Sequence, residues 1–142
     1  MRNVCKNTVF RALILCAAAA MAQSQVPTIE HVSVSGNDTS ITVAIAASQP
    51  VTPQAQLLSE PDRIVVDLPG AVPSRQLRDI PVGGAVRSVR VALFSSKPPV
   101  TRIVLDLKIA QKYEVSAVGN TVLVKVTLAQ QLPTQSNKTE PN

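Results

Sequence analysis

Between Thr28 and Leu128 apolar side chains recur at every second position in short runs, and Gly, Pro or Asn closes each run. A period of two belongs to strands with one buried face. Thr28–Ser35 alternates, with Val32 and Val34 on one side and His31 and Ser33 on the other. Gly36-Asn37-Asp38 supplies turn residues, and Ser40–Ala46 then sets Ile41, Val43 and Ile45 inward. Pro50 and Pro53 interrupt pairing before a short strand at Ala55–Leu58. Val86–Leu93 points Val89, Val91 and Leu93 one way. Tyr113–Val118 and Thr121–Leu128 read as a hairpin across Gly119-Asn120, with Val122, Val124, Val126 and Leu128 facing the core. Beyond residue 22 no segment holds a 3.6-residue period over three turns. The pattern predicts an all-β sandwich of two similar sheets. Ala71–Gly84 has no readable period, and its Arg75, Arg78 and Asp79 predict a surface loop with room for one helical turn.

One apolar run occurs twice. Arg63-Ile64-Val65-Val66-Asp67-Leu68 returns 39 positions later as Arg102-Ile103-Val104-Leu105-Asp106-Leu107. As strands, the copies turn Ile64, Val66, Leu68 and Ile103, Leu105, Leu107 to a core, and Arg63, Val65, Asp67 and Arg102, Val104, Asp106 away from it. The repetition predicts an internal pseudo-two-fold. If each copy came from a duplicated half, the two would occupy equivalent places in different sheets, with their charges on opposite outer faces.

The ends differ from this middle. Arg2, Lys6 and Arg11, the apolar stretch Ala12–Ala20 and the small-x-small site Ala20-Met21-Ala22 form a secretory signal pattern over residues 1–22, too short to span a bilayer. A lipoprotein reading through Cys16 competes, but Leu15 is bulky where a small residue belongs. Both cysteines, Cys5 and Cys16, lie in that segment, so the exported chain is expected to carry no disulfide. Residues 129–142 are polar and aperiodic and are expected to form a disordered tail without a membrane anchor. The folded unit is then a single domain over residues 28–128. Three of the 14 basic residues fall in the leader. The remaining 11 stand against 9 acidic residues, a balance of +2. So small an excess removes most of the support for a nucleic-acid partner.

Leu58-Ser59-Glu60-Pro61-Asp62-Arg63-Ile64-Val65-Val66-Asp67-Leu68 resembles the signature of the AMIN domain family, L-x-x-P-x-R-[LIV]-V-[VI]-D-[LF]. An opening V-x-V strand (Val32, Val34), a basic middle strand (Val86-Arg87-Ser88-Val89-Arg90), the second R-I-V-L-D-L run and a Tyr113-led hairpin extend the resemblance over nearly all of residues 28–128. It implies a β-sandwich of the periplasm or cell envelope, of the kind that precedes N-acetylmuramoyl-alanine amidases and type IV pilus secretins. It also implies peptidoglycan binding. No amidase or secretin segment accompanies the domain within the 142 residues. The resemblance therefore bears on fold and location more than on pathway.

The chemistry expected of such a module is binding. No Ser-His-Asp order, phosphate loop or paired-carboxylate signature is visible, and neither an enzyme nor a cofactor is expected. His31, the lone histidine, cannot build a zinc site without partners and reads as a surface strand residue. With no Trp, and with only Phe94 and Tyr113 as rings beyond the leader, stem-peptide carboxylates are favoured over sugar stacking. Arg holds a carboxylate through two parallel hydrogen bonds. The candidate ligand-binding residues are Arg63, Asp67, Arg90, Arg102 and Asp106. Arg87 and Arg90, three apart, are expected on opposite faces, and Arg90 is the favoured one. Against ligand binding stands a structural role. Arg and Asp four apart on one strand are about 13 Å distant, so each would pair across to a neighbouring strand. Envelope assembly proteins are the alternative partners.

Overall fold

The computed structural model describes residues 24–129. The leader reading of residues 1–22 and the tail reading beyond Ala129 lie outside these described residues. Ten strands form two five-stranded sheets. β1 (Thr28–Gly36), β2 (Ser40–Ala47), β5 (Val72–Pro73), β9 (Lys112–Val118) and β10 (Thr121–Thr127) make the first, in the order β5-β1-β2-β10-β9. β3 (Gln54–Leu58), β4 (Arg63–Pro69), β6 (Ile80–Gly83), β7 (Val86–Ser96) and β8 (Pro99–Leu107) make the second, in the order β3-β4-β8-β7-β6. The chain is thus the all-β, two-sheet sandwich that the alternation predicts.

The core is aliphatic. Ile41, Val43, Ile45, Val122, Val124 and Val126 from the first sheet share one buried cluster with Ile64, Val66, Leu68, Ile103, Leu105 and Leu107 from the second. Burying each such side chain contributes about 1.5–3 kcal/mol. In β1 the buried Ile29 and Val32 are an odd number of residues apart, and a register shift between Ile29 and His31 brings both inward. The turn between β1 and β2 is built by Asn37, whose Oδ1 accepts from the Thr39 amide, the Ser40 amide and the Thr39 hydroxyl at 3.0, 3.0 and 2.8 Å. Gly36 is required beside it. A Cβ there would collide with the Ser40 carbonyl oxygen and come within 2.7 Å of the Ile41 Cα.

Without the short edge strands β5 and β6, each sheet keeps its four-strand order, read in reverse, when β3 exchanges with β7 and β4 with β8, or β1 with β9 and β2 with β10. Each sheet is two antiparallel hairpins joined through their inner strands, with a further short strand at one edge. This is the pseudo-two-fold. Its placement corrects the expectation of one repeat copy per sheet, because the copies are β4 and β8, side by side in the second sheet. All six of their inward residues still enter one core.

Two further expectations change. Ala71–Gly84 is a surface loop only over Ser74–Asp79, where Arg75, Arg78 and Asp79 are exposed; its two ends are not. Ala71 is fully buried, β5 pairs parallel with β1, β6 pairs with β7, and Leu77 packs on the core. The segment crosses from one sheet edge to the other, so its apolar residues follow no single period; a tight turn within it closes Leu77 N–H onto Ser74 C=O at 3.2 Å. The buried Thr101 hydroxyl holds the crossing in place by donating to Ala71 C=O at 2.9 Å. Leu93, expected on one face with Val89 and Val91, is 47% exposed while Val89 is fully buried. β6 pairs with β7 only as far as Val89, and Leu93 lies past that end on an open edge.

Candidate functional site

Across β4 and β8 each residue faces the one whose number completes 169, so Arg63 opposes Asp106, Val65 opposes Val104 and Asp67 opposes Arg102. The copies are offset by 39 and antiparallel, which centres the pairing on the middle residue of the motif. Every Arg of one copy therefore meets the Asp of the other. The spacing of four is what makes a duplicated strand complementary to itself, and this is the cross-strand role weighed from the sequence. All four charges share one face, contrary to the expectation of opposite outer faces. Flanking strands extend that face with Gln56 beside Val65 and Arg90 beside Val104. Val65 is buried although it points away from the core, so the side chains around it close over it.

The two ends of the face differ. At one, Arg102 grips Asp67 in a two-pronged pair, Nε to Oδ1 at 2.7 Å and Nη2 to Oδ2 at 2.8 Å. The hydrogen bonds from Arg102 to Asp67 raise the Arg102 pKa above its ordinary value against the opposing cost of desolvation. The same guanidinium lies 3.5 Å from the centre of the Phe94 ring. This end is closed on itself.

At the other end Asp106 serves three donors. Arg90 reaches it with Nε at 2.8 Å and Nη2 at 2.9 Å, and the Ser88 hydroxyl donates at 3.1 Å. Arg63 Nε is left 3.4 Å away, at ion-pair distance, and this buried N–H has no hydrogen-bond acceptor among the described residues. Arg87 joins the same place. The register slips between Val86 and Ser88, which oppose the consecutive Leu107 and Asp106, and Arg87 is the extra residue of the bulge. Arg63, Arg87 and Arg90 together line a depression of about 340 Å³ with Asp62 and Asp106. Three guanidiniums stand against two carboxylates there, so the end keeps unfilled N–H donors and an excess positive charge.

Of the five residues singled out from the sequence, Arg63, Arg90 and Asp106 converge, while Asp67 and Arg102 form the closed end. Sequence reasoning missed Arg87, because strict alternation sets it opposite Arg90. The available signal was the odd spacing of Val86 and Val89, both fully buried, which a regular strand cannot satisfy. It missed Phe94 for the same cause, since a second slip between Leu93 and Ser95 makes Phe94 another inserted residue. His31 is an exposed strand residue on β1.

Among curated proteins none matches the chain. The AMIN domain family matches residues 31–128, which takes in both R-I-V-[VL]-D-L strands, the bulged basic strand and the closing hairpin. AMIN domains are periplasmic modules of amidases and secretins. With this match over most of its length, and with the duplicated strands paired at the centre of a two-sheet sandwich, the chain belongs to the AMIN domain family.

Proposed function

We propose that the domain is a non-catalytic peptidoglycan-binding module that fixes its chain in the cell envelope, reached through the export signal of residues 1–22. The observation that carries this is the open end of the charged face, where Arg63, Arg87 and Arg90 surround the shared Asp106. Guanidinium donors left over in a shallow depression suit a planar, two-oxygen anion. The abundant ligand of that kind in the envelope polymer is the carboxylate of a stem peptide. Asp67 and Arg102 satisfy one another and in this reading hold the face in shape. Single contacts of this kind are weak, but a polymer presents the same group many times, and linked contacts gain from effective concentration.

A sacculus pull-down tests the reading. The exported chain is expected to sediment with protein-free sacculi at low salt and to be released as ionic strength rises, since exposed charge contacts are screened within about 10 Å at 0.1 M salt. Arg63→Ala and Arg87→Ala are each expected to weaken retention, and the pair to abolish it. A chain that stays in the supernatant at low salt refutes the proposal. A second reading, docking to a pilus or secretion assembly, rests on β3. All five of its residues are exposed, it forms a sheet edge, and it presents Leu57 and Leu58. An edge of this kind can accept an added strand. That reading predicts capture of a protein partner and no retention on protein-free sacculi.

A further inference from the structure

A second depression of about 470 Å³ lies on the same face toward Phe94, in the size range of small-ligand sites, about 300–1,000 Å³. Ala92 and Val104 stand between Arg90 and Arg102 and give it an apolar floor, because Ala92 is short where its neighbours carry long side chains. Phe94 stands at one side, with Asp79 and Arg90 also on the lining. The ring is held rather than loose. Arg102 lies against it at 3.5 Å, and Asp67 in turn fixes Arg102 by two hydrogen bonds. The bulge at Leu93–Ser95 inserts Phe94 here, and the ring remains 58% exposed.

We infer that this depression is a subsite for one N-acetylated sugar ring of the glycan strand. The C–H face of a pyranose packs on an aromatic ring, the acetyl methyl fits a floor of Ala92 and Val104, and Arg90 and Asp79 supply a donor for the acetamide oxygen and an acceptor for a hydroxyl. The scarcity of aromatic residues in the sequence argues against sugar stacking in general, but one ring on a fixed support suffices for one sugar. The inference rests on the peptidoglycan reading and extends it. Arg90 lines both depressions, so a sugar and the peptide attached to it can be held at adjoining places.

The test uses two separate probes with the exported chain: peptide-free glycan strands, and a sugar-free stem peptide. The wild-type chain is expected to bind the glycan strands, and Phe94→Ala and Phe94→Leu to weaken that binding roughly two- to tenfold, the worth of one aromatic contact. Phe94→Leu keeps an apolar side chain, so its loss points to the ring. His31→Ala, on the other sheet, is expected to bind as wild type. Glycan affinity unchanged in both Phe94 variants, or absent from the wild type, overturns the inference. Glycan binding without stem-peptide binding supports it and refutes the carboxylate reading instead; binding to neither probe overturns both.

Discussion

The two Arg–Asp pairs offer a direct measurement of the difference between the ends of the face. Arg102 and Asp67 are linked by two hydrogen bonds, at 2.7 and 2.8 Å, with side chains 27% and 19% exposed. Two unit charges about 4 Å apart attract by about 4 kcal/mol at an effective dielectric of 20. Desolvation and loss of side-chain freedom cancel most of this, and a hydrogen bond to a charged group retains about 1.5–3 kcal/mol. A fully exposed pair retains about 0.2–1 kcal/mol. Partial exposure sets Arg102–Asp67 between these, at about 1–1.5 kcal/mol of coupling. Arg63–Asp106 has one unaligned contact at 3.4 Å, shares its carboxylate with Arg90, and exposes 39% of the arginine side chain. Its expected coupling is about 0.3 kcal/mol or less.

Urea unfolding of the wild type, Asp67→Ala, Arg102→Ala and the double variant gives the first coupling. The Arg63→Ala and Asp106→Ala set gives the second. In a domain of this size 1 kcal/mol corresponds to roughly 4–8 °C in melting temperature, so thermal scans resolve the larger coupling. The contribution of Arg102 also has a defined pH dependence. Its pKa is raised in the folded state, so its stabilisation is complete below the ordinary arginine range and lost only as pH climbs through the folded value. The Arg102 term is therefore constant between about pH 6 and pH 10, where arginine stays charged. A coupling for Arg63–Asp106 that equals or exceeds the one for Arg102–Asp67 would refute the assignment of a closed and an open end.

Further outcomes follow from packing. Thr101→Val removes the donor to the buried Ala71 carbonyl and is expected to lower stability by about 0.5–2 kcal/mol in urea unfolding, the cost of an unmet acceptor less the gain of a methyl group; stability equal to wild type would show that Ala71 finds another donor. Leu105→Ala, at a fully buried site, should cost about 2–5 kcal/mol by the same measurement. Gly36→Ala should lower the melting temperature, because the added methyl meets the Ser40 and Ile41 backbone, whereas Gly119→Ala, with open space around its Cβ, carries only the strain of its positive φ.

Much of the sandwich was legible because its core strands obey a strict alternation. Val122, Val124 and Val126, or Ile41, Val43 and Ile45, could face only one way. The charged pairs were half legible. The spacing of four excluded pairing within a strand, but the partner depended on which strands were neighbours, and periodicity carries no information about adjacency. That is why the copies were set in two sheets rather than side by side. Arg87 and Phe94 were hidden because each is the extra residue of a bulge, where the period of two fails. Ala71–Gly84 was hidden because a segment passing between sheets meets a different environment at each residue.

The mutual complementarity of β4 and β8 also guards against misfolding. A slip of one residue would turn the Arg and Asp of one strand into the core. A slip of four would set Arg63 against Arg102 in one direction or Asp67 against Asp106 in the other, and either places like charges directly opposite. A slip of two would set Arg63 or Asp106 against a valine and leave both pairs unmade. The near-identical apolar residues of the two strands would tolerate several of these alignments, since Ile, Val and Leu fill similar space. Four charged side chains thus proofread a pairing that hydrophobicity alone leaves degenerate, and the site is assembled only when the sheet has been zipped in its one permitted alignment.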